Sequence, residues 1–250
     1  MKFVVCIKRV PNTETRIKIA ADGKSIDPTG VQFIPSPYDE FAVEEAIRQK
    51  EKAGDGEVIV VCLGPAEATG EIRKCLAMGA DKAIHLKDDS TYRDPASTAT
   101  ILAAAIQGLS PDMIFFGKSA ADHANSQVGV QVAALLGLPS ISEIVSLEVE
   151  AGKATAHREI EGGSEVVQTS LPAVFTAQKG LNEPRLPALK GIMAAKKKPI
   201  EEVAFEDAPQ GCELVQLELP PARAEGKVVG EGADAVPALV KLLREEAKVI

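Results

Sequence analysis

The residues best placed to bind a ligand lie in Gly117-Lys118-Ser119-Ala120-Ala121-Asp122-His123-Ala124-Asn125-Ser126-Gln127-Val128, directly after the apolar run Met113-Ile114-Phe115-Phe116. Glycine lets a ligand approach the backbone closely, and the first turn of a helix presents unpaired N–H groups to an anion such as phosphate. A helix is predicted from about Asn125 to the Gly137-Leu138-Pro139 terminator. Asp122, Asn125, Ser126 and Gln127 have the hydrogen-bonding groups to hold a ribose or phosphate, and also those needed to cap that helix. A second stretch, Ser36-Pro37-Tyr38-Asp39, opens another helix: a capping serine, a proline suited to the first helical position, and an acidic residue facing the helix dipole. If both helix starts face one crevice, a nucleotide is the ligand that fits.

Two better-known nucleotide signatures fail on spacing. Gly117-Lys118-Ser119 would end a P-loop only with glycine at position 112, which is Asp112. Gly230-Glu231-Gly232-Ala233-Asp234-Ala235 fits the dinucleotide fingerprint but leaves no room before the C-terminus for a second strand and its acidic residue, so it reads as a linker. His85, His123 and His157 have neither metal-ligand nor triad spacing, and no HExxH or paired-carboxylate motif stands out. The sequence therefore offers no general acid/base or covalent machinery, and only His123 lies inside a candidate binding segment.

Positioning these segments requires strands. Residues 3–7, 58–63 and 113–116 are β-favouring runs without polar alternation, as in strands covered on both faces, and residues 83–86 form a shorter one. Helices are predicted between them over residues 37–53 and 66–78, and from the Asp94-Pro95 start to Gly108. The alternation predicts an α/β fold: a parallel, Rossmann-like sheet with helices on both faces. Beyond Pro139, β-favouring stretches at 144–150, 154–160 and 165–169 predict a small antiparallel excursion, and residues 172–177 one more buried strand. Residues 181–200, with three prolines and Lys196-Lys197-Lys198, read as a long exposed loop. The expected division is an α/β nucleotide-binding domain over 1–200, including a loop at 181–190, and a C-terminal arm over 201–250. That arm ends in a one-sided helix formed by Val236, Leu239, Val240 and Leu243.

Composition narrows the function. Thirty-six acidic against 28 basic residues give a net charge of −8, which with only 4% aromatic residues argues against a nucleic-acid partner. Four cysteines without a CxxC pair suit a reduced, intracellular chain. The N-terminal apolar run is too short for an export signal, and no stretch is long enough to cross a bilayer; a cytoplasmic protein is expected.

Several motifs, in order, resemble the electron-transfer flavoprotein beta-subunit family. They are Val5-Cys6-Ile7-Lys8-Arg9-Val10, Ala42-Val43-Glu44-Glu45-Ala46, Leu76-Ala77-Met78-Gly79-Ala80-Asp81, Arg158-Glu159-Ile160-Glu161-Gly162-Gly163, Leu171-Pro172-Ala173-Val174, Leu181-Asn182-Glu183-Pro184-Arg185 and Ile192-Met193-Ala194-Ala195-Lys196-Lys197-Lys198. The resemblance covers essentially the whole chain. It implies a heterodimer in which an alpha subunit holds most of one FAD, while this subunit supplies one wall and a structural AMP. Carried over, the AMP site comprises Cys6, Ser36, Pro37, Tyr38, Asp39, Leu63 and the segment 117–128. Where the family often has Asn-Pro, this chain has Ser36-Pro37, which keeps a cap and loses an amide donor.

The resemblance also implies that Glu159 lies near the flavin and the subunit boundary. Asn182, Glu183, Pro184, Arg185 and Leu189 would belong to a loop that docks on acyl-CoA dehydrogenases through Leu189, with Leu186-Pro187 replacing a tyrosine and a small residue. The role implied is an electron carrier in fatty-acid β-oxidation that passes electrons toward a membrane quinone oxidoreductase, without being an enzyme itself. Pro37-Tyr38-Asp39 and the Asp94-Pro95 helix start are similar to a bifurcating form of the family, in which a second FAD replaces AMP. An ATP-binding enzyme or sensor on a related fold is the alternative of another class.

Overall fold

In the computed structural model, which describes residues 1–222 and 225–250, the apolar run after Met1 forms β1 (Lys2–Ile7). Its side chains alternate between two cores: Phe3, Val5 and Ile7 enter one, and Val4 and Cys6 the other. Both faces of the strand are therefore covered, which explains why no polar residue interrupts the run. A short antiparallel ribbon follows, β2 (Arg9–Pro11) with β3 (Phe33–Pro35), and leads into α1 (Pro37–Ala53).

The chain continues through β4 (Glu57–Gly64), α2 (Thr69–Met78), β5 (Lys82–Lys87), α3 (Pro95–Gln107), β6 (Met113–Gly117) and α4 (Val128–Leu136). Then come β7 (Ser140–Glu150), β8 (Lys153–Ile160), β9 (Gly163–Ser170), β10 (Ala173–Ala177), α5 (Leu189–Ala195) and β11 (Ile200–Glu202). Nine strands form one sheet in the order β11-β5-β4-β1-β6-β10-β7-β8-β9. It is parallel except for the β7-β8-β9 excursion, the α/β architecture expected. Residues of α1 and α2 pack into the first core, and those of α3 and α4 into the second.

Three expectations need correction. The helix expected from Asn125 begins at Val128, because Ala124 and Ser126 adopt φ of 50° and 53°, outside the right-handed helical region. Residues 181–200 are not loop throughout, since α5 lies against α2 and β11 extends the sheet beside β5. A Cβ at Gly191 would come within 2.5 Å of the Ala77 carbonyl oxygen, so this residue type alone permits that approach. Finally, the first compact unit runs from Met1 to Leu217, taking in the beginning of the segment expected as an arm. Val203, Phe205 and Ala208 pack on the second core.

Asp94 helps to fix that last segment. One oxygen accepts from Ser97 N at 2.7 Å and caps α3, and the other accepts from Gly211 N and Cys212 N at 2.5 and 3.0 Å. The second unit, Glu218–Ile250, contains a 3-10 turn (Ala233–Ala235) and α6 (Val236–Glu245), on which Val236, Leu239 and Val240 are exposed. Among the described residues, no helix is long and apolar enough to cross a membrane.

Replacing Asp94 by alanine removes a cap and two further acceptor contacts. A loss of about 1–3 kcal/mol is expected by urea denaturation, together with faster hydrogen exchange at the amides of Gly211 and Cys212.

Candidate functional site

After β1 the chain builds outward through β4 and β5, then crosses to place β6 on the other side of β1. Strands flanking such a reversal lead their connections to opposite faces, which opens a crevice at their carboxyl ends. Here the crevice lies between the ends of β1 and β6.

One side chain ties these ends together. Asp39, in the first turn of α1, accepts from Lys8 N at 2.8 Å through Oδ2 and from Gly117 N at 3.1 Å through Oδ1. Asp39 is only 6% exposed. Burial pushes its carboxyl up to about 7, although the two amides and the Lys8 charge oppose the rise. A Cβ on Gly117 would strike Asp39 Oδ1 and lie 2.7 Å from the Tyr38 carbonyl carbon, so glycine is what allows α1 to meet the strand end.

Ser36 is fully buried and does not use its hydroxyl to cap α1, contrary to expectation. Its N–H donates to Lys8 O at 2.9 Å, and its carbonyl accepts from Asp39 N and Glu40 N. The hydroxyl instead donates to Ser119 O and accepts from Ala121 N, each at 3.3 Å, in the loop after β6. Ser36 thus joins the two predicted segments directly.

Charge gathers at the same edge. Lys8 Nζ lies 2.6 Å from Asp122 Oδ2 and 3.4 Å from His123 Nδ1, while His123 packs edge-on to Tyr92 with ring centres 5.8 Å apart. Burial, assisted by Lys8, lowers the His123 pKa. Lys118 Nζ sits 5.4 Å from the centre of the Tyr38 ring and 3.6 Å from Glu143 Oε2. At the entrance to α4 no side chain caps the helix, and Gly129 packs tightly against Thr176 and Phe116. Open N–H groups in that first turn, with Asn125, Ser126 and Gln127 exposed just before it, suit an anionic group.

The structure therefore brings together Cys6, Ser36, Pro37, Tyr38, Asp39 and the 117–128 segment, with Leu63 at the end of the adjoining strand β4. Burial raises the Cys6 thiol well above its ordinary pKa, with Asp39 adding to the rise. It therefore offers an apolar wall and no thiolate. Glu159 lies elsewhere, exposed on β8 opposite Ser164 of β9. Asn182 and Arg185 face α1, whereas Leu189 is exposed at the start of α5. Sequence reasoning missed Lys8 and Tyr92 as neighbours of the loop. Lys8 carried one signal, a charged residue immediately after a buried strand.

Comparison with known proteins gives a consistent assignment. Residues 24–208 match the electron transfer flavoprotein domain. The chain is 43% identical to the "Electron transfer flavoprotein subunit beta" of Syntrophomonas wolfei, covering all of this chain and 98% of that protein. It is also 43% identical to the Bacillus subtilis protein of the same name, with both chains fully covered. The "Electron transfer flavoprotein subunit beta, mitochondrial" of Arabidopsis thaliana is 36% identical, again over both full lengths.

A carboxyl raised from 3.8 to about 7 retains its proton in the fold where the unfolded chain releases it. Its contribution therefore lowers stability as pH rises from about 4 to 7 and levels off above that. Urea titrations across this range are expected to show a downward slope in the wild type relative to Asp39→Asn. Parallel curves would show that Asp39 is ionised throughout.

Proposed function

The chain belongs to the electron transfer flavoprotein beta-subunit family, and from that premise we propose that it is the beta half of a heterodimeric electron carrier. Its alpha partner holds most of one FAD, and AMP lies in the crevice of this subunit. The observation carrying the nucleotide assignment is the joining of two helix starts at the β1/β6 reversal by Asp39 and Ser36.

The residues present suit an adenine nucleotide. The uncapped first turn of α4 supplies N–H donors for phosphate, and Ser126 and Gln127 stand at its entrance. Lys8 and Lys118 provide positive charge at the two strand ends, each beside a carboxylate that limits the net field. Cys6 and Leu63 offer apolar surface to a base. Flavin, when bound, supplies the electron-accepting chemistry. This chain contributes a wall, and its buried thiols and the tied carboxylate of Asp39 hold that wall in shape.

Glu159, exposed on the excursion, faces the alpha subunit, where an arginine would complete a charge-assisted pair. The apolar face of α6, with Val236, Leu239 and Val240, packs on the same partner. Leu189, 77% exposed, anchors the heterodimer on an acyl-CoA dehydrogenase, and the electrons leave toward a membrane quinone oxidoreductase. A small apolar anchor suits an interface that must form and release quickly.

Co-expression with an alpha subunit is expected to give a yellow 1:1 complex that an acyl-CoA dehydrogenase reduces. Nucleotides extracted from it and weighed should be one FAD and one AMP; two FAD would instead assign the bifurcating form. Leu189→Ala should slow reduction by the dehydrogenase at unchanged flavin content. A proportional loss of flavin would make Leu189 structural.

A further inference from the structure

The segment leading to Leu189 is bound at both ends. At its start, the Arg185 guanidinium meets Glu44 in a two-point pair, Nε to Oε2 at 2.8 Å and Nη2 to Oε1 at 2.9 Å. Its Nη1 and Nη2 also reach Glu51 Oε1 and Oε2 at 2.7 and 3.0 Å. The Arg185 backbone amide donates to the same Glu44 Oε2 at 3.2 Å. Asn182 Nδ2 donates to Phe41 O at 3.1 Å and Glu45 Oε2 at 3.0 Å. Four carbonyl contacts hold the far end: Arg73 Nη1 to Ala195 O and Lys198 O, and Lys198 Nζ to Leu76 O and Ala80 O. Between these anchors Leu186 is 92% exposed and Leu189 77% exposed.

We propose that Arg185 is a positioning residue for partner docking: it latches the segment to α1 so that Leu186 and Leu189 are presented in fixed geometry, without itself touching the partner. The inference rests on the docking role proposed for Leu189. Arg185 commits guanidinium donors on all three nitrogens to α1, which leaves little hydrogen-bonding capacity for another protein. Glu44 is almost fully buried, a costly place for a carboxylate unless a cation is fixed beside it. A segment already ordered before contact does not lose that freedom on docking, so affinity depends on the latch.

The test uses the purified heterodimer as electron acceptor for an acyl-CoA dehydrogenase, with heterodimer concentration varied. Glu44→Gln/Glu51→Gln opens the latch while keeping Arg185, Arg185→Met opens it by removing the cation, and Glu44→Gln/Arg185→Met leaves no stranded buried charge. All three should raise KM for the heterodimer by about three- to tenfold. kcat should change by less than about twofold, flavin content should be unchanged, and hydrogen exchange over residues 186–190 should be faster. A KM rise in both Arg185→Met variants but not in Glu44→Gln/Glu51→Gln would make Arg185 a direct contact and overturn the proposal, as would flavin loss in the charge-free double variant. Leu189→Ala separates the two ideas. If it raises KM while the latch variants do not, positioning fails and docking stands; if it leaves KM unchanged, the docking reading fails first.

Discussion

A buried carboxylate in the first turn of α1 holds together two strand ends that diverge at the reversal of the sheet. Where β1 and β6 send their connections to opposite faces, Lys8 N and Gly117 N both turn toward a side-chain acceptor, and Asp39 serves both. Taking a carboxylate out of water is unfavourable, and the two amides offset only part of the cost, which is why its affinity for a proton rises so far. The arrangement also dictates its neighbours. Gly117 must lack a side chain because Tyr38 and Asp39 occupy that space, and Ser36, one turn earlier, is left facing the loop after β6. The crevice wall is thus defined by contacts among residues distant in sequence, from 31 positions for Lys8 and Asp39 to 85 for Ser36 and Ala121.

Helix α1 carries more than the crevice. Its first turn closes the β1/β6 edge, and carboxylates further along the same helix, Glu44, Glu45 and Glu51, hold the segment from Asn182 to Arg185. A seventeen-residue helix spans roughly 25 Å at 1.5 Å per residue, so one rigid element sets the geometry of both regions. Burial of Glu44 and Glu45 follows from this use. On an isolated amphipathic helix they would face solvent, and here their partners arrive from a segment over 130 positions away.

Much of the fold was legible because its signals are local. Strands covered on both faces need uninterrupted apolar runs, and residues 3–7, 58–63 and 113–116 became β1, β4 and β6. Asp94-Pro95 predicted a capped helix start, and Asp94 caps α3 through Ser97 N. The geometry of the candidate site was half legible. Ser36 to Asp39 and residues 117–128 could be selected from helix-start chemistry, but not the manner of their joining. The additional reach of Asp94 to Gly211 and Cys212 could not be read at all, since nothing near Asp94 in sequence announces a partner so distant.

The amino-acid sequence by itself determined the α/β alternation, the approximate strands and helices, and the segments rich in hydrogen-bonding groups, because periodicity, capping and turn chemistry act over a few residues. Tertiary structure decided how those groups are used. It gave Ser36's hydroxyl to a loop in place of its own helix, turned Arg185 and Asn182 onto α1, and made a helix and an edge strand from a proline-rich stretch that reads as loop. It also brought Lys8 to Asp122. In each case the deciding contact lies far away along the chain, and its energy exists only once the sheet has placed both partners side by side.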